Sequence, residues 1–314
     1  MSIANQWSSQ QGTIDKNSNQ DLLNAAIDTV WNRRNEFVGA LAQFFDEEKK
    51  DSGLSHIITS VGSALALPQK NGDTEPLPYL EPAPGFNKTF TLLSYRSGIR
   101  VTDTMMKADR FDKVAFMVTG QVKSAMQKDE YLRAAILNGA FTGDGGADSK
   151  DLCDDDHPQE NPGRGTWDNK GTGAMTGANV QALRLLGANM TNEQGDPDPA
   201  MVQTLVVPPA LEQKASELTE SKQRAEDALN GNTVLIGNMK VIVSPYLGLN
   251  SAVQYFGFAN REGPNKGLHQ FTLIPWNIKN NNPSNADIII DKRIKGVHAI
   301  GFTLSKNIYG STGA

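Results

Sequence analysis

A run of acidic residues with one thiol and one imidazole has the residue types that could do chemistry. Its members are Asp151, Cys153, Asp154, Asp155, Asp156 and His157. Hard carboxylate oxygens beside a softer thiol and imidazole could hold a divalent ion and support metal-assisted hydrolysis. A calcium loop, however, spaces its oxygens at alternate positions around a glycine turn, and this run does not. We therefore predict a solvated loop without metal ligands, and an ion bound between subunits is the alternative.

The usual signatures of nucleotide and hydrolase chemistry do not occur in the sequence. No G-x-x-x-x-G-K-[ST] phosphate loop is present, and Gly171, Gly173 and Gly177 have the wrong spacing for a dinucleotide fingerprint. Neither G-x-S-x-G nor H-E-x-x-H occurs. A Ser-His-Asp triad needs only one of the four histidines, so their small number leaves hydrolysis open. We predict no catalytic residue and no cofactor.

Length and cysteine usage are typical of a folded protein without internal cross-links. The chain has 314 residues, 38% of them hydrophobic, which suffices for one large domain or two ordinary ones. A single cysteine excludes an internal disulfide framework and fits a reducing compartment. No stretch approaches the roughly 18 apolar residues of a membrane span, and residues 1–20 lack a signal-peptide core. We expect synthesis in the cytosol and no membrane partner.

The charge balance restricts the classes of partner. The chain has 30 lysine and arginine residues against 35 aspartate and glutamate residues, for a net charge of −5. Proteins that wrap or read nucleic acid neutralise phosphates with clustered cations, so this balance argues against that class. A container remains possible, because a shell confines its contents by mechanical strength.

Two patterns in the first 101 residues predict an arm and a long loop. Apolar residues recur at helical spacing through residues 21–50, which predicts one or two helices closed by the charged run 46–51. β-like runs at 56–67 and 89–101 flank a proline-rich excursion. Most hairpin loops have about two to five residues, so this excursion indicates a dedicated role. A flexible surface loop is the alternative.

Periodicity predicts the remaining elements. The strongest is a helix over residues 109–138, which at 1.5 Å per residue would reach roughly 45 Å and end at Gly139. Residues 139–177 read as loops with short strands at most. The other predicted elements are helices at 176–190 and 210–229, strands at 204–207, 253–258, 270–274, 286–291 and 297–304, a hairpin of 233–236 with 240–244, and a tail at 305–314.

Four stretches carry a resemblance to a known family. They are Leu137-Asn138-Gly139 with the loop ending at Asp156-His157-Pro158; Gly165-Thr166-Trp167-Asp168-Asn169 before the helix at 176–190; LVVPPALE at 205–212; and the C-terminal glycine-and-aromatic strand. Over roughly residues 90–309 the chain thereby resembles major head subunits of tailed phages with the Johnson (Hong Kong 97-type) fold, particularly the Mu-type family. Asp154 to Asp156 depart from the small hydroxyl residues that relatives tend to have.

The resemblance implies an α+β fold with five segments. They are an N-terminal arm with helices (1–56), an extended loop (57–101), a peripheral domain with the spine helix 109–138 (102–175), an axial domain (176–263), and peripheral return strands with a C-terminal tail (264–314). Arm and loop would contact neighbouring copies. The implied contact residues are Trp31, Phe44, Phe45, Leu67, Pro68, Pro78, Tyr79, Leu80 and Pro82.

The resemblance also implies a function and partners. It implies a non-enzymatic major capsid protein whose hexamers and pentamers build the icosahedral head of a tailed bacteriophage in the host cytoplasm. Expected partners are a portal protein, decoration proteins, packaged double-stranded DNA bound without sequence preference, and a separate scaffolding protein, since the chain leaves no room for its own scaffolding region. A cellular nanocompartment of the same fold and a metal-assisted hydrolase are the alternatives.

Overall fold

The computed structural model describes most of the chain from residue 39 onward. The described residues are 39–61, 84–102, 104, 111–143, 145–160, 165–192, 195–220, 239–249, 251–259, 267–280, 288–303 and 306–313. Within them the strands form a five-stranded sheet, a four-stranded sheet and two two-stranded ribbons. Helices pack on both larger sheets, which confirms the predicted α+β class.

Thirteen strands have described bounds. They are β1 (Asp46–Lys49), β2 (Ser55–Val61), β3 (Pro84–Thr91), β4 (Leu93–Thr102), β5 (His157–Pro158), β6 (Thr166–Trp167), β7 (Lys170–Gly171), β8 (Val202–Val207), β9 (Lys240–Val243), β10 (Tyr255–Ala259), β11 (Leu268–Asn280), β12 (Ile288–Phe302) and β13 (Ile308–Ser311). The helices with described bounds are α1 (Phe111–Asn138), α2 (Gly177–Ala188) and α3 (Glu212–Glu220), with 3-10 helices at Ala40–Phe44 and Pro209–Leu211.

Strand alternation places apolar side chains on both faces of the five-stranded sheet, whose order is β7-β13-β10-β8-β9. Tyr255 and Tyr309 pack with residues of α2 and α3 on one face. Phe256 and Ile308 pack with the C-terminal end of α1 on the other face. Because both faces are covered, the three inner strands of this sheet, β13, β10 and β8, are mostly buried.

The four-stranded sheet, in the order β1-β11-β12-β4, is longer and less enclosed. β11 and β12 pair antiparallel along their lengths, and β4 pairs with the other edge of β12. The first residue of β11, Leu268, joins the apolar cluster beneath the five-stranded sheet. Farther out, α1 covers one face of this sheet through Val122 and Ala125, which pack on Ile294.

A buried polar network fixes α1 against the four-stranded sheet. The Asp129 carboxylate accepts a 2.8 Å hydrogen bond from Trp276 Nε1, and its second oxygen lies 3.0 Å from His298 Nε2. One turn farther along, Arg133 donates to Gln270 Oε1 at 2.6 and 3.1 Å. These directional contacts set both the rotation and the position of the helix along its axis.

Three helical predictions are confirmed over the described residues. The helix expected at 109–138 is α1, although the glycine with a left-handed backbone is Gly143 (φ 83°) and not Gly139. The helix expected at 176–190 is α2, capped by Thr176, whose side chain accepts from the Asn179 N–H. The helix expected at 210–229 is described as α3, and residues 221–229 lie outside the described part.

The prediction that residues 46–51 close a helix is wrong. Residues 40–44 form a 3-10 helix, and the chain is already extended at Phe45 (φ −96°, ψ 139°). Asp46–Lys49 is then strand β1, parallel to β11 with Asp46 opposite His269. Its charged side chains are mostly exposed, so backbone pairing stabilises this strand and side-chain periodicity could not reveal it.

The first β-like run near the loop is confirmed as far as residue 61, beyond which it lies outside the described residues, and the second run is divided. β2 pairs antiparallel with β3, from Ser55 opposite Thr91 to Val61 opposite Pro84. After Thr91 the chain passes into β4, which belongs to the four-stranded sheet. The proline-rich excursion between β2 and β3 lies outside the described residues, so its predicted role stays a prediction.

The predicted C-terminal strands are too short. The runs 286–291 and 297–304 form one strand, β12, and the run 270–274 continues past Pro275 as β11. Pro275 is tolerated because the pairing register shifts between Ile274 and Asn277, where no ladder N–H is needed. The hairpin expected at 233–244 has only its second strand, β9, in the described part, where it runs parallel to β8.

The interpretation of residues 305–314 as a tail is wrong for Ile308–Ser311. These residues form β13, an inner strand of the five-stranded sheet that pairs with β10 on one side and β7 on the other. All four are buried. Gly310 leaves the space for this packing, since a Cβ there would lie 2.7 Å from Cys153 Sγ.

Candidate functional site

The structure does not bring the acidic run together into one site. Cys153 is buried beneath the five-stranded sheet, and burial raises the pKa of its thiol far above the usual range. Asp151 accepts a 2.7 Å hydrogen bond from the Gly143 N–H, and the exposed Asp156 lies 3.3 Å from Lys150 Nζ. Each of these carboxylates therefore has a local structural partner.

His157 pairs with a residue outside this run that the sequence did not indicate. Its Nδ1 lies 2.7 Å from Asp148 Oδ2, and both side chains are almost fully buried. The Trp167 ring stacks on the imidazole with a centroid distance of 4.2 Å. This arrangement anchors the ribbon of β5 and β6 to the loop after α1, since His157 and Trp167 are cross-strand partners.

No group of three histidine, cysteine, aspartate or glutamate side chains that could hold a metal occurs in the described part of the chain. None of the helices described there has the length and hydropathy of a membrane span.

The feature with the geometry of a binding surface is the outer face of the ribbon formed by β2 and β3, which we call the ribbon face. It consists of Ser55, Ile57, Thr59, Asn87, Thr89 and Thr91, all exposed, and the exposed Leu54 directly precedes it in the chain. Leu54, just before β2, and Ile57, within β2, leave 66% and 61% of their surface accessible, so two large aliphatic side chains lie in solvent near each other in the chain. Leu93, at the start of β4, is also exposed.

The inner face of the same ribbon holds it on the four-stranded sheet. Phe90 and Ile58 pack with Phe271, Val297 and Ala299. The Phe90 ring lies over Gly301, where a Cβ would come within 2.6 Å of it, so only glycine fits at this position. The base of the ribbon is therefore fixed while its outer face stays exposed.

Two of the nine predicted intersubunit contact residues fall in the described part, and both pack inside their own chain. Phe45 is 5% exposed and lies under Arg133. Phe44 stacks on Phe258 at 4.1 Å. Neither offers much surface to another copy, because both belong to the apolar cluster beneath the five-stranded sheet. The other seven, Trp31, Leu67, Pro68, Pro78, Tyr79, Leu80 and Pro82, lie outside the described residues.

Sequence reasoning missed the residues that organise these surfaces. Asp129, Trp276 and His298 meet across more than 140 positions of sequence, and no spacing rule connects them. The exposure of Leu54 and Ile57 could have been suspected, because Ile57 alternates with His56 and Ile58 in a strand with threonines on its outer side. When apolar residues occupy both the inward and the outward positions of a strand, both faces of that strand are expected to pack against something.

Several solved structures resemble the chain. The capsid of Ralstonia phage GP4 matches with a TM-score of 0.57 and 10% identity, covering 85% of this chain and 86% of that one. The capsid of cyanophage P-SCSP1u matches with a TM-score of 0.55 and 12% identity over 85% and 86%. The mature capsid of bacteriophage PhiM1 matches with a TM-score of 0.52 and 12% identity over 86% of each chain. At these identities the likeness shows the fold, which is that of phage capsids of the Hong Kong 97 type.

Comparison of the sequence with models of known families identifies the family of this chain. No curated protein matches the chain. The sequence model described as phage capsid protein matches residues 87–306, from β3 of the ribbon to the turn before β13. That match spans well over half of the sequence, and the chain therefore belongs to the phage capsid protein family.

Proposed function

We propose that this chain is the major head subunit of a tailed phage and that its copies assemble into an icosahedral shell around double-stranded DNA. Membership of the phage capsid family and the Hong Kong 97-type fold support this proposal. Within it, hexamers and pentamers are the assembling units, and assembly occurs in the host cytoplasm. The chain acts by binding copies of itself and not by catalysis.

The observation that carries the proposal is the ribbon face. A two-stranded ribbon is marginally stable in water, and this one uses only its inner face to pack on its own chain. Ile57 on its outer face and Leu54 just before β2 are two large aliphatic side chains left in solvent. A second copy that covers them gains roughly 25 cal/mol for each Å² of apolar surface removed from water. The gain per contact is small, but a closed lattice repeats the contact in every subunit.

The segments of the chain have assigned roles in this proposal. Residues 57–101 are the extended loop, and α1 is the spine helix of the peripheral domain. The axial domain is built on the five-stranded sheet, so we assign β13 to it together with residues 176–263. Residues 1–56 are the arm that contacts another copy through Trp31.

The proposal includes a closer kinship and further partners. The phrases at 165–169 and 205–212 support a Mu-type head subunit. A separate scaffolding protein, a portal protein and decoration proteins are the expected partners of such a subunit. An ion between subunits at Asp154 to Asp156 is the alternative use of that exposed loop.

The test is assembly of a double variant, Leu54→Ser with Ile57→Ser. We expect the unassembled protein to keep its urea midpoint, since surface substitutions usually change stability by less than about 0.5 kcal/mol. Closed particles in negative-stain electron microscopy should become rare, because the apolar contact is lost. The matched control, Leu54→Met with Ile57→Val, keeps apolar surface and should assemble.

Normal particles from the serine variant would remove the ribbon face from the assembly contacts. A wild-type protein that stays monomeric at high concentration would contradict the shell function itself. A nanocompartment is the second candidate, and it would form particles that hold a cargo protein in place of DNA.

A further inference from the structure

A second surface, on the opposite side of the four-stranded sheet from α1, has a different chemistry. It is a groove of about 850 Å³ on the outer part of β4, β11 and β12. Its charged lining residues are Arg96, Arg100, Lys279, Arg293 and Lys295, with Asp291 as the one acid. We call it the cationic groove. Its excess of cations contrasts with the chain as a whole, which carries a net charge of −5.

Strand register, and not sequence proximity, gathers these cations. Lys295 lies opposite Arg96, and Asp291 lies opposite Arg100 on the neighbouring strand. Lys279 of β11 lies opposite Arg293 on the other side. Directly opposed residues of antiparallel strands project from the same face at separations of about 5 Å, so all five cations share one face. All five are exposed.

Asp291 orients two of these cations but does not neutralise the positive charge of the groove. Its buried carboxylate lies 3.3 Å from Arg293 Nη2 and 3.6 Å from Arg100 Nε. One carboxylate between two guanidinium groups orients both and leaves most of their surface accessible, with 53% and 64% of the two side chains exposed. Three of the five cations are arginines, whose planar groups bind phosphate oxygens in pairs.

We propose that the cationic groove binds the phosphate backbone of the enclosed duplex DNA, without reading its sequence. This inference rests on the proposed shell function, which supplies the DNA. Duplex DNA presents a negative charge about every 3.4 Å along each strand, so an array of cations at about 5–7 Å can meet several phosphates.

The composition of the groove favours a duplex over other polyanions. Its described lining residues include no aromatic side chain, which a groove for single-stranded nucleic acid uses to stack bases. Centres of protein interfaces are mostly apolar and depleted of lysine, although arginine is enriched there. The groove has five cations and only two isoleucines, Ile274 and Ile294, among its apolar lining residues. An acidic segment of a second copy is the competing occupant.

The first experiment neutralises the groove in the full-length, unassembled protein. Arg96→Gln, Arg293→Gln and Lys295→Gln are combined, and binding of a short random-sequence DNA duplex is followed by fluorescence anisotropy between about 50 and 200 mM salt. Loss of up to three phosphate contacts should weaken binding at least tenfold and reduce the salt slope by up to about 2.7. The control combines Lys49→Gln, Lys123→Gln and Lys214→Gln, exposed lysines outside the groove, and should change affinity less than twofold.

A second pair of variants adds one carboxylate without removing a side chain. Gly98 lies between Arg96 and Arg100 on the groove face, and a Cβ there meets only ordinary contacts, the nearest at 3.5 Å. Gly98→Glu should therefore fold and weaken DNA binding severalfold. Gly120→Glu changes the net charge equally on the exposed side of α1, where a Cβ has no neighbour within 4 Å, and should bind as the wild type does.

The outcomes separate this inference from the function on which it rests. Wild-type protein that does not bind the duplex at low salt, or equal losses in groove and control variants, would overturn the inference. Groove variants that keep their DNA affinity but no longer form particles would also overturn it, in favour of a contact between copies. Groove-dependent binding by a protein that never forms particles would support the groove and contradict the shell function.

Discussion

The five-stranded and four-stranded sheets of this capsid protein differ in how completely their faces are covered. The five-stranded sheet has helices α2 and α3 on one face and the end of α1 on the other, and its inner strands are almost entirely buried. The outer part of the four-stranded sheet has α1 on one face through a small apolar cluster, and the cationic groove on the other.

This difference separates stability from interaction. A sheet covered on both faces removes most of its apolar surface from water within one chain, so it stabilises the fold without a partner. A sheet with one polar face has less to bury, and buried polar contacts such as the one between Asp129 and Trp276 orient its helix. The two surfaces that we propose bind other molecules, the ribbon face and the cationic groove, both lie on the four-stranded side.

The largest effect should come from the five-stranded sheet. Phe256 is 1% exposed and its ring stacks with Phe141 at 5.8 Å. Phe256→Ala should lower the free energy of unfolding by about 3–5 kcal/mol, because it leaves a cavity between well-packed groups. Urea denaturation of the unassembled protein measures this loss. Phe116→Ala, at a site that is 79% exposed on α1, should change it by less than about 0.5 kcal/mol. Equal losses at the two sites would remove the contrast between the regions.

An intermediate effect is expected from the polar network of the four-stranded sheet. Asp129→Ala leaves the buried Trp276 Nε1 and His298 side chains without their carboxylate, at a cost of roughly 1–3 kcal/mol. Asp129→Asn is the matched control, since its amide oxygen can still accept from Trp276, and it should lose less. If Asp129→Ala lowered the free energy of unfolding as much as Phe256→Ala does, the stability of the two sheets would not differ in its source.

The smallest effect concerns His269 of β11, whose ring lies beside Phe90 and Phe271 where the ribbon packs on the four-stranded sheet. Burial lowers the pKa of His269, which outweighs the opposing effect of the Asp46 and Glu48 carboxylates, and His56 lowers it further. The unfolded chain then binds the proton more readily than the folded one, so stability falls as the pH drops below about 6.5. The urea midpoint should be lower at pH 5 than at pH 7, and His269→Gln should reduce this difference.

His56→Gln is the comparison variant for that measurement. Burial also lowers the pKa of His56, but its side chain is more accessible than that of His269, so the pH dependence should change less. If His269→Gln kept the full pH dependence of the wild type, His269 would not be the source of that dependence.

Sequence patterns predicted elements well where a segment buries one face against its own chain. The apolar stripe of α1 and the cap and stripe of α2 repeat at helical spacing, and both helices were placed within a few residues. The resemblance at 205–212 likewise marked β8 and the turn into α3.

The patterns failed where a strand depends on a distant partner. β1 is charged and β13 is short, and neither shows an alternation of its own, because the backbone of β11 or β10 provides the pairing. The packing of Phe44 and Phe45 within their own chain was missed for a related reason, and their contact with other copies stays a prediction. Their apolar character was clear from the sequence, but only the packing of α1 and β10 decided that they face inward.

The sequence by itself determined the helices, the strand-rich C-terminal part and the overall excess of acidic charge, since these depend on local periodicity and composition. Only the tertiary structure decided where the positive charge lies. Arg96 and Lys295 are far apart in the chain and become neighbours through the register of β4 and β12. A net charge averages over the whole surface, whereas a phosphate backbone responds to the cations within a Debye length of about 10 Å.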